Sequence, residues 1–351
     1  MNTIKNTSFS TKCAIILIII YNIWCIFSFF PLKTTPPFVN TQSLREPLSQ
    51  DDYLTHYTES IETAHFIKTK GRLWGYSPYH FAGYPAGVYQ GSDNRWMAIF
   101  QFMLGWLNPA LAFNLSILIA LLSLPWLSFL TAHFLGLQGI QLCFYSAVSI
   151  FGIIGFYMLN IFILFGGIGF VFSSFLALLS ASLLYSAIRT KNIKFYFLLS
   201  IVACLTCFVH ILGAVIGAVV AFAILTGNIF LIKKRDVLFL LLSALFCLLP
   251  NLWWIVPFIR FHEWRGSSND LFQTSIESMI DRYVSDLPLL VVTVLSIIAI
   301  CDMLRIRRFS SFITYFSGFI IFFIFSFFGS SIGIGNMQPA RFLIPFFLFA
   351  N

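Results

Sequence analysis

Apolar runs of about 18 residues or more recur along this 351-residue chain, divided by short basic clusters. Each run is long enough to cross a bilayer as a helix. No other feature restricts the fold as strongly, because a spanning segment must close all its backbone hydrogen bonds internally. Only 10% of the residues are charged and the mean hydropathy is +0.88. Soluble domains carry about 25% charged residues, so this chain lacks the polar surface to cover a water-exposed core. The reading is an all-α, polytopic transmembrane bundle forming one domain over 1–351, with membrane lipids as its surroundings.

Spans are expected at about 13–32, 109–133, 140–160, 168–188, 195–210, 212–232, 237–258, 288–304 and 310–329, with a tenth starting near 341. This gives about 9–10 spans. The first run follows Lys5 and Lys12 and lacks a small-residue cleavage site, so it reads as a retained anchor rather than a removed signal. The last run begins after Arg341, and the sequence ends within it at Phe346–Asn351. A helix stopping partway into hydrocarbon leaves carbonyls unpaired, which predicts a chain cut short.

The net charge of +8 does not indicate nucleic acid. With Lys5 and Lys12 in the cytoplasm, Arg189/Lys191, Lys233–Arg235 and Arg305–Arg308 fall on the same side, as the positive-inside rule requires. The segments 33–108, 259–287 and 330–340 then face outward. The segment 96–107 is apolar but too short to cross and reads as an interfacial or re-entrant helix. The seven cysteines lie in or beside apolar runs, which argues against a disulfide framework. Cys204 and Cys207 have CxxC spacing without a second ligand pair. Gly213 and Gly217 have the GxxxG spacing of helix packing.

The long loop is the exception to all this grease. Residues 51–96 hold five of the thirteen carboxylates, and Glu46 lies just before them. A helix is expected over about 51–70, with Asp51 or Asp52 as a cap. Asp52, His56 and Glu59 are spaced i, i+4, i+7 and share one helical face. That face is either plain solvated surface or a presentation of carboxylates and imidazole to a substrate or a divalent cation. Past Gly71, glycines, prolines and aromatics alternate, which favours neither helix nor strand. Trp74, Tyr76, Tyr79, Tyr84 and Tyr89 suit either interfacial anchoring or stacking on sugar rings. The second loop, with Arg260, His262, Glu263, Trp264 and Arg265, suits either interfacial solvation or a lid.

An anchor, an outward loop with an early acid, a helix, then Gly71-Arg-Leu-Trp74, Ser77-Pro78 and Gly83-Tyr84-Pro85 resembles the polytopic glycosyltransferases of the GT-C fold. It is similar above all to a group of bacterial membrane proteins loosely called 6-pyruvoyl-tetrahydropterin-synthase-related. Val209-His210-Ile-Leu-Gly213, Trp253-Trp254-Ile-Val-Pro257-Phe258 and Gln338-Pro339-Ala-Arg341-Phe342 extend the likeness over most of the chain. The resemblance implies a bacterial inner-membrane enzyme that takes sugar from a polyprenyl-phosphate donor on the outer face. It implies a catalytic or metal-ligating role for Asp52 or Asp51 and a donor-phosphate contact for Arg341. It adds His210, with His56, Glu59, Trp74 and Tyr84, as candidate substrate contacts. The competing readings are a lipid or solute transporter and a non-catalytic membrane subunit. Ionisable residues are almost absent from the middles of the spans, which weakens ion-coupled transport.

Overall fold

A computed structural model describes residues 2–29, 47–48, 51–78, 83–88, 95–261 and 275–350. The chain is an all-α bundle. Helix α1 spans Asn2–Phe29, α2 Asp52–Lys70, α3 Arg95–Leu104 and α4 Pro109–Phe134. Helices α5 (Ile140–Gly155) and α6 (Tyr157–Leu164) follow, then α7 (Ile168–Thr190), α8 (Ile193–Val209) and α9 (Ile211–Gly227). The remainder are α10 (Lys234–Arg260), α11 (Ile276–Ser285), α12 (Leu287–Arg305), α13 (Phe309–Phe328) and α14 (Leu343–Ala350).

Among the described residues six helices are long and apolar enough to cross a membrane, or seven when the bent pair α5–α6 is counted as one span. Helices α8 and α9 are shorter, at 17 residues each. The chain is thus a multi-pass membrane bundle, with helix ends close to those expected. The interfacial helix expected over 96–107 forms over Arg95–Leu104.

Helix α7 is the axis. It packs against α4, α8, α9 and α14, and 89% of its most apolar window is buried. Its small residues allow this: Ser173, Ala177, Ser180, Ala181 and Ala187 let neighbouring backbones approach. The serine hydroxyls stay paired, Ser173 and Ser174 donating to Phe170 O and Ser180 to Leu176 O. At the periphery α1 turns one stripe inward, Ala14, Ile18, Tyr21 and Cys25, at alternating spacings of four and three. Ile16, Ile19, Ile20, Ile23 and Phe27 point outward, as a lipid-facing helix requires.

Two features depart from expectation. The span read as 140–160 is broken at Phe156, where the backbone becomes extended and the two halves bend by 58°. The Phe156 ring stacks on Phe347 at 4.6 Å, and Asn160 Nδ2 donates to Ile154 O, a carbonyl the break would otherwise leave open. The second departure is an antiparallel hairpin in the glycine- and proline-rich stretch, which the sequence assigned to neither helix nor strand. Strand β1 (Gly75–Ser77) pairs with β2 (Tyr84–Ala86), with Tyr76 opposite Pro85. Three residues per strand are too few for periodicity to register, and packing on α2 holds the ribbon.

The basic clusters gather at one end. Lys191 Nζ donates to Leu231 O at 2.6 Å and pairs with Asp236, which also accepts from Tyr196 OH at 2.8 Å. Ser310 Oγ donates to Gly227 O at 2.6 Å, which brings the turn after Arg308 to the same place. Ser186 Oγ donates to Phe134 O there too. The opposite end carries α2, the hairpin, α3 and α11.

Candidate functional site at the end opposite the basic clusters

Helix α2 lies over the ends of α4, α6 and α7. Its buried Tyr53 donates to Ile163 O, and Tyr53 and Tyr57 meet the Phe113 ring at 6.4 and 5.4 Å. Burial pushes the Tyr53 phenol up, so it stays a neutral donor. The N-terminus of α2 rests on the α6–α7 turn. A Cβ at Gly166 would lie 2.8 Å from Asp52 Cβ and 3.1 Å from Tyr53 N, and Gly166 has φ +90°. Both the close approach and the backbone demand glycine there.

Asp51 occupies the cap position with φ 48°, yet its side chain makes no capping bond. The capping explanation therefore fails for Asp51. Asp52 is the first helical residue, where the helix dipole favours a negative charge. Both aspartates are exposed beside the turn.

The Asp52/His56/Glu59 face is not a presented face. Glu59 is only 3% exposed, with Ser60 and Thr63 buried beside it. His56 Nδ1 stands 4.0 Å from Glu59 Oε2. Helix α3 and the hairpin cover this side of α2, and buried Ser77 donates to Glu62. The reason is that α2 has two neighbours: Tyr53 and Tyr57 engage α4, and the polar stripe engages α3. Glu59 and His56 thus lie within the packing of the loop, while Asp51 and Asp52 remain open.

His210 is the single residue between α8 and α9, with an extended backbone. Its Nδ1 accepts from Leu212 N at 3.0 Å and so caps α9. Its ring meets Phe170 edge-on at 5.2 Å. The Arg341 guanidinium lies 5.5 Å from the Phe162 ring and 5.7 Å from the same Phe170, with Nε donating to Gln338 Oε1. The Phe162–Phe170 segment therefore has Asp52 at its turn and both His210 and Arg341 on its rings. Arg341 lies half-buried on these rings.

Sequence reasoning passed over Arg95, which is 2% exposed. Its Nε donates to Phe208 O and its Nη2 to Cys207 O, both at 3.1 Å, and its guanidinium lies 3.8 Å from the Trp254 ring. It closes the C-terminal carbonyls of α8, which the break at His210 leaves without helical partners. Trp254 Nε1 donates in turn to Asn251, whose amide donates to the Cys247 and Cys204 carbonyls. The signal was present: a cation heading a helix opposes the dipole and needs a partner elsewhere.

Asp286 was also passed over. It is 3% exposed and caps α12 through Leu289 N at 3.2 Å. Burial pushes its carboxyl up, against the pull of the Leu289, Tyr157 and Met158 amides.

The Arg72 guanidinium lies 4.1 Å over the Trp74 ring, which meets the Phe261 ring edge-on at 5.1 Å. Tyr84 lies in β2, but its side chain is outside the described residues, as are Tyr79, Tyr89 and most of the second loop from His262 on. Among the described residues no group of three His, Cys, Asp or Glu is arranged to hold a metal. Both glycines of the GxxxG pair line a cavity of about 350 Å³, and Gly213 also lies against Thr206 O and Ser173. No family model, no curated protein and no solved structure matches the chain.

Proposed function

We propose that the protein is a membrane glycosyltransferase-like enzyme that transfers a sugar from a polyprenyl-phosphate donor at the end opposite the basic clusters. With those clusters taken as cytoplasmic, that end is the outer face of a bacterial inner membrane. The observation that carries the reading is the convergence on one segment: Asp52 packs at the Gly166 turn while Arg341 and His210 approach Phe170. An exposed carboxylate takes the proton of the acceptor hydroxyl as that oxygen attacks the anomeric carbon. The phosphate departs with the bonding electron pair, and the Arg341 fork holds it. Asp51 is the second carboxylate in reach, for the same proton or for a divalent cation. Glu59 and His56 support the loop rather than contact substrate, and Trp74 offers its remaining ring face beside Arg72.

A lateral groove supports a lipid-borne donor. It measures about 620 Å³, is lined by Phe144, Phe151, Val291, Leu295 and Phe347, and runs along α12 from Leu287 to Met303. Sixteen helical rises between these two residues make it about 24 Å long. The same groove also favours a second reading, a lipid-conducting protein without chemistry.

The test is donor turnover in proteoliposomes carrying a polyprenyl-phosphate sugar. Wild type is expected to release polyprenyl phosphate, and the paired Asp51→Asn, Asp52→Asn variant to lose about a hundredfold or more, the usual weight of a general base. Undiminished release by the paired variant would sink the catalytic reading. Lipid movement that survives in the paired variant without release would favour the second.

A further inference from the structure

A cavity at the basic end has no part in the site above. It measures about 260 Å³ and lies between α4, α5, α7, α9, α13 and α14. Thr131, Tyr145, Tyr185, Arg189, Asn228 and Ser311 give it polar walls, and no acidic residue lines it. Leu178, Leu348 and Phe349 form its apolar part.

Arg189 lies 5.2 Å over the Tyr185 ring and has no acidic partner among the described residues. Thr131 is 4% exposed, and its hydroxyl makes no hydrogen bond to a described residue although it lines the space. The first turn of α13 supplies Ser310 and Ser311, and Arg308 at its cap position provides no side-chain bond to that turn. An uncapped first turn offers amide donors and the positive end of a helix dipole. A guanidinium fork, a buried hydroxyl and a helix start around one cavity form a binding set for a phosphate ester.

We propose that this cavity binds the phosphate head of an anionic membrane lipid. The lipid source follows from position and shape. The cavity lies at the level where helices meet the boundary, and its apolar part continues toward the bundle. At about 260 Å³ it holds a headgroup and not a whole ligand of the usual 300–1,000 Å³ class. The acyl chains remain in the bilayer.

The full chain in neutral detergent is titrated with phosphatidylglycerol or phosphatidylcholine of identical acyl chains, and retained lipid is read by native mass spectrometry. Wild type is expected to retain phosphatidylglycerol about fivefold better, the effect of one interfacial arginine. Arg189→Gln should abolish the preference, and Thr131→Val should weaken it. Lys194→Gln, an exposed charge outside the cavity, should keep it. Melting curves without added lipid confirm that each variant is folded. An unchanged preference in Arg189→Gln overturns the site, as does an equal loss in Lys194→Gln, which would mean diffuse charge. Displacement of the lipid by glycerol 3-phosphate at the same concentration overturns the lipid assignment.

Discussion

Helices α7 and α10 are comparably apolar and of similar length, yet 89% of the most apolar window of the first is buried and 17% of that of the second. The difference lies in side-chain size. Helix α7 intersperses serines and alanines along its buried length, and Ser173, Ser174, Ser180 and Ser182 bond back to its own carbonyls. Helix α10 carries Leu238, Leu241, Leu245, Phe246 and Leu249 on an exposed face, and it meets the bundle mainly through α8. In hydrocarbon a leucine gains nothing by leaving lipid for protein, whereas a small residue lets two backbones meet. Apolarity says that a helix spans, and the small residues say where it sits.

The largest effect should come from breaking that contrast directly. Ala177→Phe, at a fully buried position of α7, is expected to cost about 3 kcal/mol by overpacking. Leu241→Phe, at a position 65% exposed on α10, should stay within about 0.5 kcal/mol. Thermal unfolding in detergent reads both, and equal losses would refute the size argument. A smaller effect tests whether α8 is held to α10 by polar rather than apolar contact. Arg95→Ala removes the donors to Cys207 O and Phe208 O and should cost about 2 kcal/mol. A loss below about 0.5 kcal/mol would mean that the Arg95 bonds do not help to fix α8.

The smallest effect is a pH dependence. The Asp286 carboxyl is held above its ordinary value by burial, so the folded state favours the protonated form. Its contribution is complete below the ordinary carboxylate value of about 4 and is lost as pH rises through the folded value. Wild type should therefore lose stability relative to Asp286→Asn as pH is raised from about 4 toward neutral. A difference that stays constant with pH would show that Asp286 does not titrate there.

Much of the bundle was legible because hydrocarbon imposes one rule on every span. Helix α2 was placed within a residue of its ends, from Asp52 to a left-handed Gly71. The break at Phe156 was not legible, because it depends on a ring stacked on Phe347, nearly two hundred residues away. The candidate site was readable only in part. Asp52, His210 and Arg341 meet one segment, Phe162–Phe170, but Glu59 does not face solvent. Periodicity identifies which residues share a face and does not say what covers it. The polar stripe of α2 has α3 against it, and α3 is drawn there by Arg95 and its bonds to α8.

The vertex at His210 has a further consequence. Helices α8 and α9 have 17 residues each, about 25 Å of rise, and turn back at a single residue without a loop. The hydrocarbon core is about 30 Å thick. With the basic ends fixed at one boundary, the vertex stops about 5 Å short of the other. Protein fills the shortfall: His210 and Phe170 at the vertex are buried, at 2% and 0% exposed.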